Sequence, residues 1–377
     1  MEDEENICLD LFGQQVPTNV EKFLLDGITH ASKTKIDLFF GNHPINLIKT
    51  NIDLILNNDY LVCEKSDGVR VILICAINKI FLYDRNNKIY EVKRMGFKTT
   101  SFYIFDAEIY LNTKTNSYIL AIFDCLFFSN NNITHKNLYT RLNACKDFVV
   151  DKLPQKLFNI DDSNNSKYKI LKIEYKRMYK SYVFKEILKD IVNLNHKNDG
   201  LIFTPVAEPY IFYERTKILK WKPSELQTID FFIETSHIKG RYDLKCIFYD
   251  RQLYYTNSKE YNKKKFDYKN QYKYVTVAEW LSEDTETDYS LKIGEFRWNK
   301  NKLMYDRDGV TYEGGWELYK IRTDKVEPNN IKIFLSQCSG FENLLTEIEL
   351  NELQQQMREN FKQREMAVSN NKKQKTL

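Results

Sequence analysis

The sequence predicts an α+β chain with mainly antiparallel sheets and helices in a first domain and a small β-barrel in a second. Three observations lead there. Runs rich in Val, Ile, Phe and Tyr recur at 69–77, 80–83, 102–111, 118–128, 200–204 and 218–222, each bounded by polar or turn residues, as strands are. Helical spacing is clearest at 181–194, where Tyr182, Val183, Ile187, Leu188, Ile191 and Leu194 share one stripe, and again at 341–366. After WKPSE at 221–225 the texture changes to short aromatic and charged strands with a Lys-rich turn, YNKKKFDYK at 261–269, and this continues to about 325, the pattern of a small barrel.

The remaining stretches fit around these elements. Two Asn-rich patches, at 129–137 and 159–167, are too poor in apolar groups to be core and read as surface insertions. The tail, SNNKKQKTL, reads as a disordered, solvated basic end.

With 377 residues, 42% of them hydrophobic and 14% aromatic, the chain has apolar material for two cores. Its formal charge of +4 comes from 56 basic and 52 acidic residues, too balanced for coating nucleic acid by bulk attraction, so a polyanion must be gripped by a local patch. Seven cysteines are scattered without a CxxC pair, which suggests free thiols in a reducing compartment and no zinc site. The acidic N-terminus lacks the form of a signal peptide, and the expectation is a soluble intracellular protein with no membrane partner.

Chemistry enters at CEKSDGVRVILI, residues 63–74. Alone, Lys65 beside Asp67-Gly68 reads as a solvated charge next to a tight turn. Its functional reading is a nucleophile, which requires an unprotonated amine and therefore desolvation or neighbouring cations; Arg70 can be one such cation, or can grip a phosphate or sugar hydroxyl. Asp106 and Glu108 in FDAEIY point to one face of a strand, and Asp124 interrupts the apolar run AIFDCLFF. Asp199-Gly200 repeats the turn-then-strand pattern. Lys220 and Lys222 share a strand face opposite Leu219 and Trp221, and two like charges so placed call for an anion or carboxylates between them, as a triphosphate would supply. A lysine nucleophile, carboxylates for a divalent metal and paired phosphate-binding lysines suit attack on the α-phosphate of a nucleoside triphosphate.

In this order the residues resemble the covalent nucleotidyltransferase superfamily, which includes mRNA capping guanylyltransferases and ATP-dependent polynucleotide ligases. The K-x-D-G-x-R motif stands as Lys65-Ser66-Asp67-Gly68-Val69-Arg70, the third motif as Asp106-Ala107-Glu108 with alanine in place of glycine, and later motifs as Ile122-Phe123-Asp124-Cys125, Asp199-Gly200-Leu201-Ile202-Phe203 and Leu219-Lys220-Trp221-Lys222-Pro223. WELYKIRTDK at 316–325 is similar to the capping branch's closing motif, with Lys320 in place of its first arginine.

The resemblance implies a nucleotidyltransferase domain (ATP-grasp-like, with mainly antiparallel sheets) over 1–228, an OB-fold β-barrel over 229–330 and C-terminal helices over 331–377 that fold back. It implies that Lys65 forms a phosphoramidate with GMP from GTP and passes GMP to a 5′-diphosphate RNA end. Glu108 with Arg70 would contact ribose, Phe123 would stack on guanine, and Lys176, with Arg177 adjacent, would read guanine O6. Glu64 and Asp67 belong with the nucleotide-binding set. Lys220 and Lys222 would hold the α-phosphate, while Asp230, Arg322, Asp324 and Lys325 would serve the outer phosphates as the barrel closes. Glu108 and Asp199 would hold Mg2+ or Mn2+, with Asp199 serving either that metal or the lysine.

About 64 residues precede Lys65, so a separate RNA 5′-triphosphatase is expected as partner. A fungal-like parallel adds the phosphorylated C-terminal domain of RNA polymerase II and a nuclear location, or a cytoplasmic viral factory if the chain is viral. Two alternatives stand beside this reading: an ATP-dependent ligase using a lysyl-AMP intermediate, and a non-catalytic relative that has lost its nucleophile.

Overall fold

The apolar runs become strands that are buried on both faces. The computed structural model describes residues 7–93, 99–152, 168–223, 227–238, 240–249, 272–284, 286–305, 311–323, 325–335 and 343–374. Its first sheet runs β1 (Gly13–Gln15), β6 (Ile89–Val92), β5 (Lys79–Tyr83), β4 (Val69–Ala76), β7 (Tyr103–Asn112), β8 (Ser117–Phe128) and β10 (Leu171–Tyr175), with β9 (Asn131–Asn132) on the side of β8. One face buries Val71, Leu73, Phe105 and Leu120, the other Ile72, Ile74, Ile104 and Leu126. Central strands covered on both sides need no polar alternation, which is why β4 and β8 read as continuous apolar runs.

A second sheet runs β11 (Tyr179–Lys180), β3 (Tyr60–Ser66), β12 (Asn198–Pro205), β13 (Arg215–Trp221) and β2 (His43–Asn46). Among the described pairs only β8 with β10 and β2 with β13 are parallel, so the sheets are mainly antiparallel, as the sequence predicts. The α-helices of the described residues include α1 (Thr18–Ser32), α2 (Asp53–Asn57), α3 (Leu138–Asp147), α4 (Phe184–Ile191), α5 (Glu347–Glu352) and α6 (Gln354–Gln374). Asn137, at the end of the first Asn-rich patch, caps α3 by accepting from the Thr140 N–H at 3.0 Å. The second patch and the Lys-rich turn at 261–269 lie outside the described residues.

Helix α4 stops earlier than its stripe suggests. Asn198 donates to the Ile191 carbonyl at 3.3 Å as the chain turns into β12, leaving Leu194 and Val192 exposed, while Phe184, which the stripe leaves out, is fully buried.

The chain divides into two compact units, Met1–Lys222 with Leu345–Leu377, and Pro223–Leu344. The returning C-terminal segment is pinned to the first unit by the Trp221 indole N–H, which donates to the Leu345 carbonyl at 2.7 Å, and Leu345, Leu350 and Met357 join Leu201, Leu219 and Trp221 in one core. Arg364 ties α6 to α2 through the Leu56 carbonyl at 2.8 Å and Asp59 at 2.6 Å. Helix α6 continues through Gln374, so most of the tail expected to be disordered is helical; no glycine or proline interrupts it. The segment expected to belong with these helices from 331 onward begins on the other unit, because Ile331 and Phe334 pack against that unit's core.

The second unit is a five-stranded antiparallel sheet in the order β16 (Tyr272–Leu281), β15 (Arg241–Tyr249), β14 (Thr228–Thr235), β17 (Ile293–Tyr305) and β18 (Thr311–Ile321). Its end strands β16 and β18 approach each other around Phe231, Leu244, Trp280, Phe296 and Trp316, the build of an OB-fold barrel.

Candidate active site

The K-x-D-G-x-R stretch crosses from one sheet of the first unit to the other. Lys65 is next to last in β3 of the second sheet, Asp67 and Gly68 turn, and Arg70 is the second residue of β4 in the first. The turn must be narrow, since a Cβ on Gly68 would sit 2.3 Å from the Ile109 carbonyl oxygen. Asp67 is exposed, and its N–H donates to the Lys197 carbonyl at 2.9 Å.

Asp199-Gly200 is not the plain turn its sequence permits. It lies inside β12, where the register with β3 slips between Asn198 and Leu201. Gly200 has φ +146°, and a Cβ there would meet the Trp221 carbonyl oxygen at 2.0 Å, so only glycine fits. The bulge aims Asp199 at two lysines: Lys65 Nζ lies 2.6 Å from Oδ1, and Lys222 Nζ pairs with Oδ2. Lys220 stands on β13 beside them. Desolvation, reinforced by Lys222 and Lys65, lowers its ammonium to about 8. The two lysines thus share a face, with Leu219 and Trp221 buried behind them, as the alternation in the sequence implies.

The carboxylates of the first sheet divide into two kinds. Asp106 is fully buried and holds Arg70, whose Nε and Nη2 donate to it at 2.9 and 2.5 Å, while the Tyr210 hydroxyl donates to it at 2.5 Å. Arg70 also donates to the backbone and side-chain oxygens of Asn42 at 2.7 and 2.9 Å. Burial alone would push the guanidinium down, but Asp106 outweighs it and holds it above its ordinary range. Arg70 is therefore a heavily engaged cation. Asp124 is likewise buried, and burial raises its carboxyl against the pull of Arg141, whose Nε donates to it at 2.7 Å.

Glu108 is different. Desolvation raises it, opposed by Lys176, Lys65 and Arg70, and among the described residues it has no ion-pair partner. It is the open carboxylate of the strand.

Phe123 owes its position to a slip in the β7–β8 register, which pairs Asp106 with Asp124 and Ala107 with Ile122 and leaves Phe123 bulged out between them. Its ring centroid lies 5.7 Å from the Arg70 guanidinium carbon. Lys176 is buried, donates to Ser66 Oγ at 2.6 Å and lies 3.2 Å from Glu64 Oε1, whereas Arg177 stands outside with Tyr175 and Tyr179. Burial pulls the Lys176 ammonium down and Cys63, Glu64 and Glu108 carry it above the usual range; the Cys63 thiol, which burial pushes up to about 12, is neutral at ordinary pH, so the two carboxylates do this. In the second unit Arg322 and Lys325 both pair with Asp230. Asp324 lies outside the described residues.

Nothing in the sequence pattern marks Arg85. It sits exposed in the turn after β5; desolvation and then Arg70 push it down, against Asp106 and Glu108. Among the described residues it has no ion-pair partner. A charged residue in a Tyr-Asp-Arg-Asn-Asn turn carries no local signal of this, because its setting is made by β4 and β7. Nor does the sequence mark His196: its ring stacks on Tyr110 at 4.1 Å, and its buried Nε2 has no hydrogen-bond partner among the described residues and lies 3.8 Å from Glu64.

Residues 8–224 match the mRNA capping enzyme catalytic domain, and residues 226–351 match the mRNA capping enzyme C-terminal domain. The chain belongs to the mRNA capping enzyme family. It is similar to the mRNA-capping enzyme subunit alpha of Kluyveromyces lactis, 24% identical over 99% of this chain and 90% of that one. The Saccharomyces cerevisiae subunit alpha is 27% identical over 78% of this chain and 74% of its own, and the Schizosaccharomyces pombe one 23% over 88% and 83%. Among solved structures, mycobacterial DNA ligase D complexed with ATP and MES covers 76% of this chain and 95% of its own at 12% identity and a TM-score of 0.38. In this capping enzyme relative, then, the residues quoted from the sequence motifs gather at the junction of the two sheets of the first unit, with the closing motif on the barrel.

Proposed function

We propose that this chain is an mRNA guanylyltransferase (GTP:RNA nucleotidyltransferase), with Lys65 as its nucleophile. The carrying observation is the Asp199 carboxylate held between Lys65 and Lys222 with Lys220 beside them, one amine poised among cations that suit an α-phosphate. In the first step the Lys65 Nζ lone pair attacks the α-phosphorus of GTP. The N–P bond forms, the bond to the β-phosphate bridging oxygen breaks, and pyrophosphate leaves with the electron pair. Asp199, already hydrogen-bonded to Nζ, is placed to take the proton, and its contact to Lys65 must be given up before the lone pair reaches phosphorus. In the second step a terminal oxygen of 5′-diphosphate RNA attacks the same phosphorus, the P–N bond breaks and the proton returns to Lys65, leaving a GpppN end.

The other residues bind and orient. Lys220 and Lys222 hold the α-phosphate, and Arg85 adds a cation for the polyphosphate. Glu108 contacts ribose; Arg70, with one Nη1 hydrogen left beyond its four bonds, serves more to fix Phe123 and the strand than to grip sugar. Phe123 stacks on the base, and Lys176, not Arg177, reads its O6, with Ser66 and Glu64 fixing the ammonium. Asp67, exposed at the turn, stands at the rim of the nucleotide site. Asp230, Arg322, Asp324 and Lys325 act on the leaving pyrophosphate. Glu108, without an ion-pair partner among the described residues, can offer a carboxylate oxygen to Mg2+ beside phosphate oxygens, and Asp199 can add one once Lys65 leaves Oδ1, so these residues fit such an ion. When bound, it would neutralise phosphate charge. The subunit-alpha names of the relatives suggest a partner subunit, for which a separate RNA 5′-triphosphatase is the proposed candidate; the phosphorylated RNA polymerase II tail and a nuclear location follow from the same reading.

Incubation with labelled GTP or labelled ATP and Mg2+ tests it. Label should remain on denatured protein from GTP; retention from ATP alone would assign the ligase chemistry instead. A second expectation follows from Lys220. Its ammonium is charged below about 8 and neutral above, so phosphate affinity should fall as pH rises through that value. Titration with GMP, which carries the α-phosphate but no leaving group, should show Kd rising several-fold between about pH 7 and 9, and Lys220→Arg should flatten the rise. A Kd independent of pH in the unaltered protein would remove Lys220 from the phosphate site.

A further inference from the structure

The second unit carries a charge arrangement that guanylyl transfer alone does not explain. Asp230, Glu295 and Lys320 stand directly opposite one another on β14, β17 and β18, so two carboxylates face each other across a strand pair. Like charges so placed destabilise a sheet unless cations intervene. Arg322 does so: its Nη1 lies 3.1 Å from Asp230 Oδ1 and 3.1 Å from Glu295 Oε2. Lys325 pairs with Asp230, and Lys320 Nζ lies 3.9 Å from Glu295. Thr228 Oγ1 donates to the other Glu295 oxygen at 2.6 Å, fixing that carboxylate in place. The Asp230 and Glu295 side chains are 7% and 15% exposed, so water screens them little.

Asp230 belongs to the outer-phosphate set already described; Glu295 has no role in it. Glu295 shares the Arg322 guanidinium through Nη1, and its charge opposes any phosphate brought to that same cation. We propose that Glu295 is a positioning residue that aims the Arg322 guanidinium and, by its charge, keeps the polyphosphate subsite weak enough for pyrophosphate to leave. This rests on the reading that Arg322 and Lys325 act on the leaving pyrophosphate. Weak product binding matters because release limits many turnovers and because retained pyrophosphate reverses the first step.

Glu295→Gln removes the charge and keeps the length: its amide oxygen can accept from Arg322 in place of Oε2, while its NH2 group, in place of Oε1, can donate to the Thr228 hydroxyl, which can accept. In the full chain, calorimetric titration with inorganic pyrophosphate should show roughly five- to tenfold tighter binding in the variant. Multiple-turnover capping should slow by a larger factor than the single-turnover rate of lysyl-GMP formation changes. The tightening should vanish on an Arg322→Ala background. Glu295→Asp, which draws the carboxylate back by one methylene, should tighten binding by a smaller factor and serves if the glutamine variant folds poorly. Pyrophosphate affinity equal to or weaker than that of the unaltered protein, or tightening that survives Arg322→Ala, would overturn the proposal. The titration does not need catalysis, so a chain that formed no GMP adduct would sink the guanylyltransferase reading while these affinities still decided the role of Glu295.

Discussion

Lys65→Ala should reduce covalent labelling from GTP to background, a loss on the order of 10³-fold or more, as when an enzyme loses its covalent nucleophile. The fold should survive. The Lys65 side chain is 22% exposed, and its partner Asp199 keeps Lys222, so the lost ion pair is worth about 1 kcal/mol or less. Lys65→Arg separates two roles: arginine keeps the positive charge beside Asp199 but stays protonated at any working pH, so it should fail to label as completely as alanine does. In the unaltered protein the bond should break in acid and survive alkali, as a phosphoramidate does. Labelling retained in either variant, measured on denatured protein alongside a thermal melt, would place the nucleophile elsewhere.

The sequence shows Lys65 as a candidate only through its distant companions, and the structure explains why. Asp199 reaches it by a bulge in β12 that Gly200 makes possible, 134 residues further along the chain. Strand positions were legible because β4, β7 and β8 carry unbroken apolar faces, and near the end of β13 the common face of Lys220 and Lys222 followed from period-two alternation alone. What was not legible is which carboxylates work and which merely hold. Asp106, Glu108 and Asp124 look alike in the sequence, yet Asp106 is claimed by Arg70 and Tyr210, Asp124 by Arg141, and only Glu108 stays open. Those partners come from α3, β4 and a segment beyond residue 205, so no local pattern could announce them. The same holds for Arg70, whose motif position suggests a ligand contact but whose donors are mostly spent on Asn42 and Asp106.

That division makes Asp106 the residue whose loss should harm folding most. Asp106→Ala leaves the Arg70 guanidinium, 11% exposed, without its counter-charge and the Tyr210 hydroxyl without its acceptor. Breaking a buried pair from one side costs about 3–5 kcal/mol, because the remaining charge stays desolvated. Urea unfolding of the full chain, followed by a probe of the first unit, should show a loss of that size. Removing both charges at once, in Arg70→Met with Asp106→Leu, should cost less than Asp106→Ala alone, since no orphaned ion remains. The pair also sets the site, because Arg70 lies between the rings of Phe39 and Phe123 at 5.8 and 5.7 Å. The double variant should therefore recover stability without recovering GTP affinity. If Asp106→Ala unfolds within about 1 kcal/mol of the unaltered protein, the buried pair is not what holds β4 to β7, and Phe123 must owe its place to the β8 bulge alone.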